Sequence, residues 1–175
     1  MGTSSITKGA KAIGNKWVFK IKCNENGEIS KFKARLVAQG FSQRYGVDYD
    51  EVFAPVVKQA TIRTLLTIAG ENNLLVKQFD FKTAFLNGDI KETIYMKQPK
   101  GFVIDGEKEK VCKLNKSLYG LKQAAKWWND KINSIIVKIG FIQSDADPCL
   151  FIKGEGKTII YLVIYCDRDF SKANK

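Results

Sequence analysis

At 175 residues with a formal net charge of +11 and no histidine, the chain is long enough for one domain with a real hydrophobic core, and its charge points to an anionic partner, nucleic acid by default. A membrane surface fits less well: no basic amphipathic helix stands apart, no apolar run nears membrane-spanning length, and Met1 to Ile6 lacks both a signal-peptide core and the myristoylation pattern. Cys23, Cys112, Cys149 and Cys166 are scattered without metal-ligand spacing, which reads as reduced core residues of an intracellular, soluble or particle-bound protein.

Residues 1–13 are small and polar and read as a loose leader. From Lys16 the pattern alternates, with Trp17, Phe19, Ile21 and Cys23 on one face and Lys16, Lys20 and Lys22 on the other. Asn26-Gly27 marks a hairpin turn, and the return strand sets Phe32, Ala34, Leu36 and Ala38 inward and Lys31, Lys33 and Arg35 outward. Such a cationic face suits phosphates, Arg binding them in a bidentate fashion; it also suits a solvated strand edge kept from sticking. The loop after Gly40 carries Asp48, Asp50 and Glu51, acids that could suggest a metal but lack ligand geometry and read as caps or solubilising charges. Thr61 to Ala69 places Ile62, Leu65, Leu66 and Ala69 at helical spacing, a helix packed on the sheet and ended by Gly70 and Asn72-Asn73.

Leu74 to Phe81 alternates again and predicts a central strand with Asp80 near its end, before a turn at Asn87-Gly88. A carboxylate there is placed either to hold a metal ion within reach of a phosphate or to cap the next short helix. Phe85 by itself reads as a core residue. Ile94 to Met96 and Val111 to Leu114 are short strands around a polar insert, 105–110. The clearest helix is Leu121 to Ile139, with one apolar stripe through Ala124, Trp128, Ile132 and Ile136 and a stop at Gly140. Trp127 and Trp128 read as packing residues, and Gln123 as an exposed amide. After a connector, 141–147, the strand 149–153 turns at Gly154-Glu-Gly156 into an apolar run, Thr158 to Cys166, that ends in Asp167-Arg168-Asp169. Two strand-end aspartates, Asp80 and Asp167, suit a pair of metal ions in phosphoryl or nucleotidyl transfer; they also suit two unrelated turns.

Six blocks occur in order: Lys16-Trp-Val-Phe-Lys, Lys33-Ala-Arg-Leu-Val-Ala-Gln-Gly-Phe, Tyr49-Asp-Glu-Val-Phe-Ala-Pro55, Asp80-Phe-Lys-Thr-Ala-Phe-Leu-Asn-Gly, Ser117-Leu-Tyr-Gly-Leu-Lys-Gln-Ala and Ser144-Asp-Ala-Asp-Pro-Cys-Leu. From about Gly14 to Asp167 they resemble the reverse transcriptase of copia-type retrotransposons. The resemblance implies an α+β fold with an antiparallel palm sheet, helices on one face and a basic fingers hairpin. It implies RNA-directed DNA polymerisation, in which a primer 3′-hydroxyl attacks the α-phosphate of a deoxynucleotide and pyrophosphate leaves. RNA template, DNA primer and deoxynucleoside triphosphates are the partners it implies. Asp80 and Asp167 would hold two Mg²⁺ ions. Lys33, Arg35, Phe85 and Gln123 would contact the nucleotide, Phe85 as a steric gate under its sugar and Gln123 beneath the nascent base pair. Lys20, Lys22 and Lys31 would hold nucleic acid.

The chain departs from the family pattern in three places. Where the family has Pro, Ala125 stands. Cys166 replaces the apolar Val of the family's Tyr-Val-Asp-Asp, and Arg168 replaces its second Asp. A cation there weakens Mg²⁺ binding, a unit charge at about 4 Å being worth roughly 1 kcal/mol in water and several times more near a protein surface. The return strand, thumb and RNase H module that the family carries downstream are not in the sequence, so residues 14–170 read as an incomplete fingers and palm followed by a polar tail, 171–175. The expectation is a weak or inactive polymerase, a decayed, truncated or deliberately cut copy. The rival reading is a non-catalytic nucleic-acid-binding remnant, and a third is a fragment that does not fold alone.

Overall fold

The computed structural model describes residues 2–7 and 9–165, and among these it is an α+β chain of three antiparallel sheets and two helices. The elements run β1 (Gly2–Ser4), β2 (Asn15–Cys23), β3 (Ile29–Ala38), α1 (Gln59–Glu71), β4 (Tyr95–Met96) and β5 (Val111–Lys113). They continue with α2 (Ala124–Lys138), β6 (Ile142–Gln143), β7 (Leu150–Lys153) and β8 (Ile160–Val163). Among the described residues no helix is long and apolar enough to cross a membrane.

The hairpin β2–β3 forms in the register the alternation predicts, with Lys20 opposite Lys33, Lys22 opposite Lys31 and Val18 opposite Arg35. Its loop spans 24–28 rather than a two-residue turn: the Asn24 side-chain oxygen accepts the amides of Asn26 and Glu28, and Gly27 takes a positive φ. The expected inward face is a correction. Phe19 is 74% and Phe32 71% exposed, and only towards Ala38, which is buried, does the apolar face meet the body. The hairpin projects, so its distal apolar side chains have no layer to pack against.

The first residues, expected as a loose leader, run as β1 along β5, and Ile13 is buried against the core. β5 lies between β1 and β4, and β4 and β5 are the two short strands expected around the polar insert. Their buried residues Met96, Cys112 and Leu114 join Leu118, Leu121 and Trp127 in one cluster. α2 begins at Ala124, three residues later than its pattern suggested, and ends at Lys138, two residues before Gly140, whose φ is +91. Trp128, Ile132 and Ile136 recur at helical spacing and form a second cluster with Phe141 and Phe151, so α2 is the partition between two cores. Burying each such side chain contributes roughly 1.5–3 kcal/mol.

Two further expectations are corrected. α1 forms over the predicted residues but none of its side chains is fully buried, so it lies at the surface rather than packed closely on a sheet. The segment Leu74 to Phe81 is no strand among the described residues: it runs without regular structure, with Leu75 81% and Phe79 80% exposed. Its period of two is right, but a strand exists only where a neighbour accepts its hydrogen bonds, and no described strand lies beside it.

Candidate nucleotide and nucleic-acid interface

The cationic face of β2–β3 gathers Lys20, Lys22, Lys31, Lys33 and Arg35. Neighbouring cations leave a mark on Lys33, whose ammonium is held below the usual lysine range by Lys22 first, then by desolvation, Arg35 and Lys31. A field that disfavours one of its own charges favours an incoming anion. Replacing Lys20, Lys22 and Lys31 together by Ala is expected to make the slope of log affinity against log salt for single-stranded RNA shallower by about 2, near 0.7 for each phosphate no longer neutralised. Filter binding across a salt series measures it.

The base of this face is locked to the turn before α2. The Ala38 amide donates to the Tyr119 carbonyl at 2.7 Å, and Gly120 sits so close that a Cβ would collide with the Ala38 carbonyl oxygen. At φ +91 Gly120 also occupies the left-handed region that favours glycine. This approach puts the Arg35 guanidinium 5.9 Å from the Tyr119 ring centroid, a cation–π contact, and the Tyr119 ring edge-on to Phe85 at 5.2 Å. Lys33, Arg35 and Phe85, three of the four residues expected at the nucleotide, therefore border one surface. Tyr119, which touches both Arg35 and Phe85, lies inside a family block but was not among the residues expected at the nucleotide.

Gln123 has a different setting. It is fully buried; its side-chain oxygen accepts from Gln43 Nε2 at 3.0 Å and its Nε2 donates to the Asp48 carbonyl at 2.9 Å. Beside it, Lys122 Nζ donates to the Gln43 carbonyl and the Tyr49 hydroxyl and lies over the Tyr49 ring at 4.7 Å. The amide thus pins the 43–49 loop to the start of α2. Of the acids of that loop Asp48 caps, accepting the Arg44 amide at 2.7 Å, while Glu51 lies 3.6 Å from the Lys126 ammonium.

Asp80 is exposed. Its neighbour Phe81 anchors the segment edge-on to Trp128 at 5.3 Å between ring centroids. Thr83 then takes a left-handed conformation (φ 56) that throws the chain into a short 3-10 turn, Ala84–Asn87, carrying Phe85. Trp128 belongs to the cluster that Leu162 and Ile164 also join. The segment bearing Asp80 and the strand leading towards Asp167 thus rest on one core. Asp167, and Arg168 beside it, lie outside the described residues. No group of three or more potential metal ligands comes together among the described residues. Asp80 supplies one exposed carboxylate, an oxygen donor of the kind Mg²⁺ takes.

Paired cations beside an aromatic ledge, with an exposed carboxylate on the segment that also carries Phe85, offer an anion a place to bind and a cation an oxygen donor. The profile described as "Reverse transcriptase (RNA-dependent DNA polymerase)" matches residues 3–173, and the chain belongs to that family. It is 47% identical over 163 residues to the retrovirus-related Pol polyprotein from transposon TNT 1-94 of Nicotiana tabacum, covering 93% of this chain and 12% of that protein. It is 42% identical over 155 residues to the corresponding polyprotein from transposon RE1 of Arabidopsis thaliana, covering 89% of this chain and 11% of that protein. The resemblance to copia-type elements read from the six blocks therefore holds, and the chain spans about a tenth of the length of these relatives. No solved structure matches the chain.

Proposed function

We propose that the chain is the fingers and part of the palm of an RNA-directed DNA polymerase, which binds an RNA template, a DNA primer and a deoxynucleoside triphosphate. The observation that carries this reading is the run Lys33, Arg35, Tyr119, Phe85, in which strand-borne cations for a triphosphate stand next to an aromatic ring suited to lie under a sugar. Lys33 and Arg35 neutralise the triphosphate, Arg35 with its guanidinium held in place by the Tyr119 ring. The distal lysines Lys20, Lys22 and Lys31 hold the nucleic-acid backbone. Asp80 and Asp167 are the carboxylates for two Mg²⁺ ions, which when bound supply activation of the primer hydroxyl and neutralisation of charge on the phosphates. Gln123 acts at the nucleotide through the 43–49 loop that its buried amide fixes.

The Phe85 ring, braced by Tyr119, excludes a 2′-hydroxyl by volume. Phe85→Ala is expected to lower the preference for deoxynucleotides over ribonucleotides by about tenfold or more, within the 10–200-fold that a small change in pocket volume commands. Competing single-nucleotide incorporation measures it; an unchanged ratio removes Phe85 from the sugar site.

Primer extension on an RNA template with Mg²⁺, comparing the chain with Arg168→Asp, tests the reading as a whole. Incorporation by either protein, lost in Asp80→Ala, supports the polymerase. Salt-sensitive binding with no incorporation by either overturns it in favour of binding alone.

A further inference from the structure

α1 carries no capping side chain of its own: its N-cap residue, Lys58, makes no side-chain cap bond, and no acid lies in its first turn. The carboxylate that serves it comes from the connector before β7. Asp147 is 1% exposed; its Oδ2 accepts the Lys58 amide at 2.9 Å and the Thr61 hydroxyl at 2.6 Å, while its Oδ1 accepts the Cys149 amide at 2.9 Å. Lys58 Nζ adds a second clasp on the Ala146 carbonyl at 2.8 Å. Cys149, itself buried, passes the connection on, its carbonyl accepting the Ile164 amide at 2.9 Å. Ile164 is packed against the cluster that contains Trp128 and precedes Asp167 by three residues. α1 leads directly into the segment that carries Asp80 and rests on the same Trp128.

We propose that Asp147 is a positioning residue for the reaction: one buried carboxylate sets the first turn of α1 and the exit of β8 at Ile164 relative to each other, and so the segment that carries Asp80 relative to the strand that leads towards Asp167. This rests on the polymerase reading for its consequence, though not for its geometry. Oδ2 crosses to α1, while Oδ1 accepts the amide of Cys149 two residues on and so fixes the carboxylate in its own connector. It is Cys149, whose carbonyl takes the Ile164 amide, that carries the connector on to the exit of β8. Asn cannot replace it, because an amide offers one accepting oxygen where donors face both sides.

The test is amide hydrogen exchange on the full chain, with Asp147→Asn and the milder Thr61→Val, which removes one hydroxyl donor. Exchange at Lys58 and at Ile164 is expected to quicken together by about tenfold or more in Asp147→Asn, the scale of one hydrogen bond to a charged group, with α2 unchanged. If Asp147→Asn loosens every amide alike, Thr61→Val decides. A faster first turn of α1 with Ile164 unmoved in Thr61→Val overturns the proposal and leaves a local cap. Where wild-type chain extends a primer, the variant's kcat per folded molecule is expected to fall about tenfold with KM for the deoxynucleotide kept; a change in KM alone overturns the positioning role. Where no extension occurs at all, the polymerase reading has failed, while the exchange at Ile164 still decides Asp147.

Discussion

Asp80→Asn is expected to reduce deoxynucleotide incorporation on an RNA template by more than about 100-fold, the lower range for removing a group that stabilises charge developing in a transition state. The substitution keeps the shape and removes the charge. Because Asp80 is exposed, stability should stay within about 0.5 kcal/mol of the parent. RNA affinity at low salt should also be kept, since the cations that carry it sit on β2–β3. The measurement is the single-turnover rate, taken in whichever of the parent or Arg168→Asp extends a primer, with the melting curve and a binding isotherm alongside. A rate within tenfold of the parent would remove Asp80 from the reaction. A rate lost together with the melting transition would mean instead that the segment matters as a scaffold through Phe81 and Trp128. Raising Mg²⁺ separates weak ion binding from lost chemistry, because only the former is overcome by mass action.

The residues of this surface were legible in unequal degree, for a physical reason. Strand alternation placed Lys20, Lys22, Lys31, Lys33 and Arg35 on one face because side-chain direction in a hairpin is a local property. The same rule applied to Leu74 to Phe81 gave the right period and the wrong element, since pairing depends on a neighbour and not on the strand's own residues. α1 was visible from its apolar spacing, but its cap was not: Asp147 lies 89 residues from the amide it serves. Gln43 and Gln123, 80 residues apart, could not be paired by any local rule, so Gln123 read as exposed when it is fully buried. Tyr119 had a usable signal. It stands before a glycine in a block that also holds Lys122 and Gln123, and only the close approach of Gly120 to Ala38 turns that adjacency into a contact with Arg35.

Asp147→Ala is expected to destabilise the fold by about 2–3 kcal/mol, a large share of the 5–15 kcal/mol typical of a domain. Three donors lose their acceptor, two of them backbone amides, and hydrogen bonds to charged groups contribute about 1.5–3 kcal/mol net. The opposing cost of burying the carboxylate, which the variant removes, keeps the loss below the sum of three bonds. Acid should reveal the charge. Desolvation pushes the Asp147 carboxyl up, but the Thr61 hydroxyl, the amides of Cys149 and Lys58 and the Lys58 charge outweigh it and leave its pKa below the ordinary value. A folded pKa below the unfolded one means the stabilisation is present in full above the unfolded value, about 3.9, and is lost as pH falls through the folded value. The gap in unfolding free energy between the parent and Asp147→Asn should therefore stay constant from neutral pH down to about 5 and narrow below about 4. Urea titrations at a series of pH values measure it. A gap that widens in acid would mean the carboxyl is protonated in the folded chain, with desolvation prevailing over its three donors.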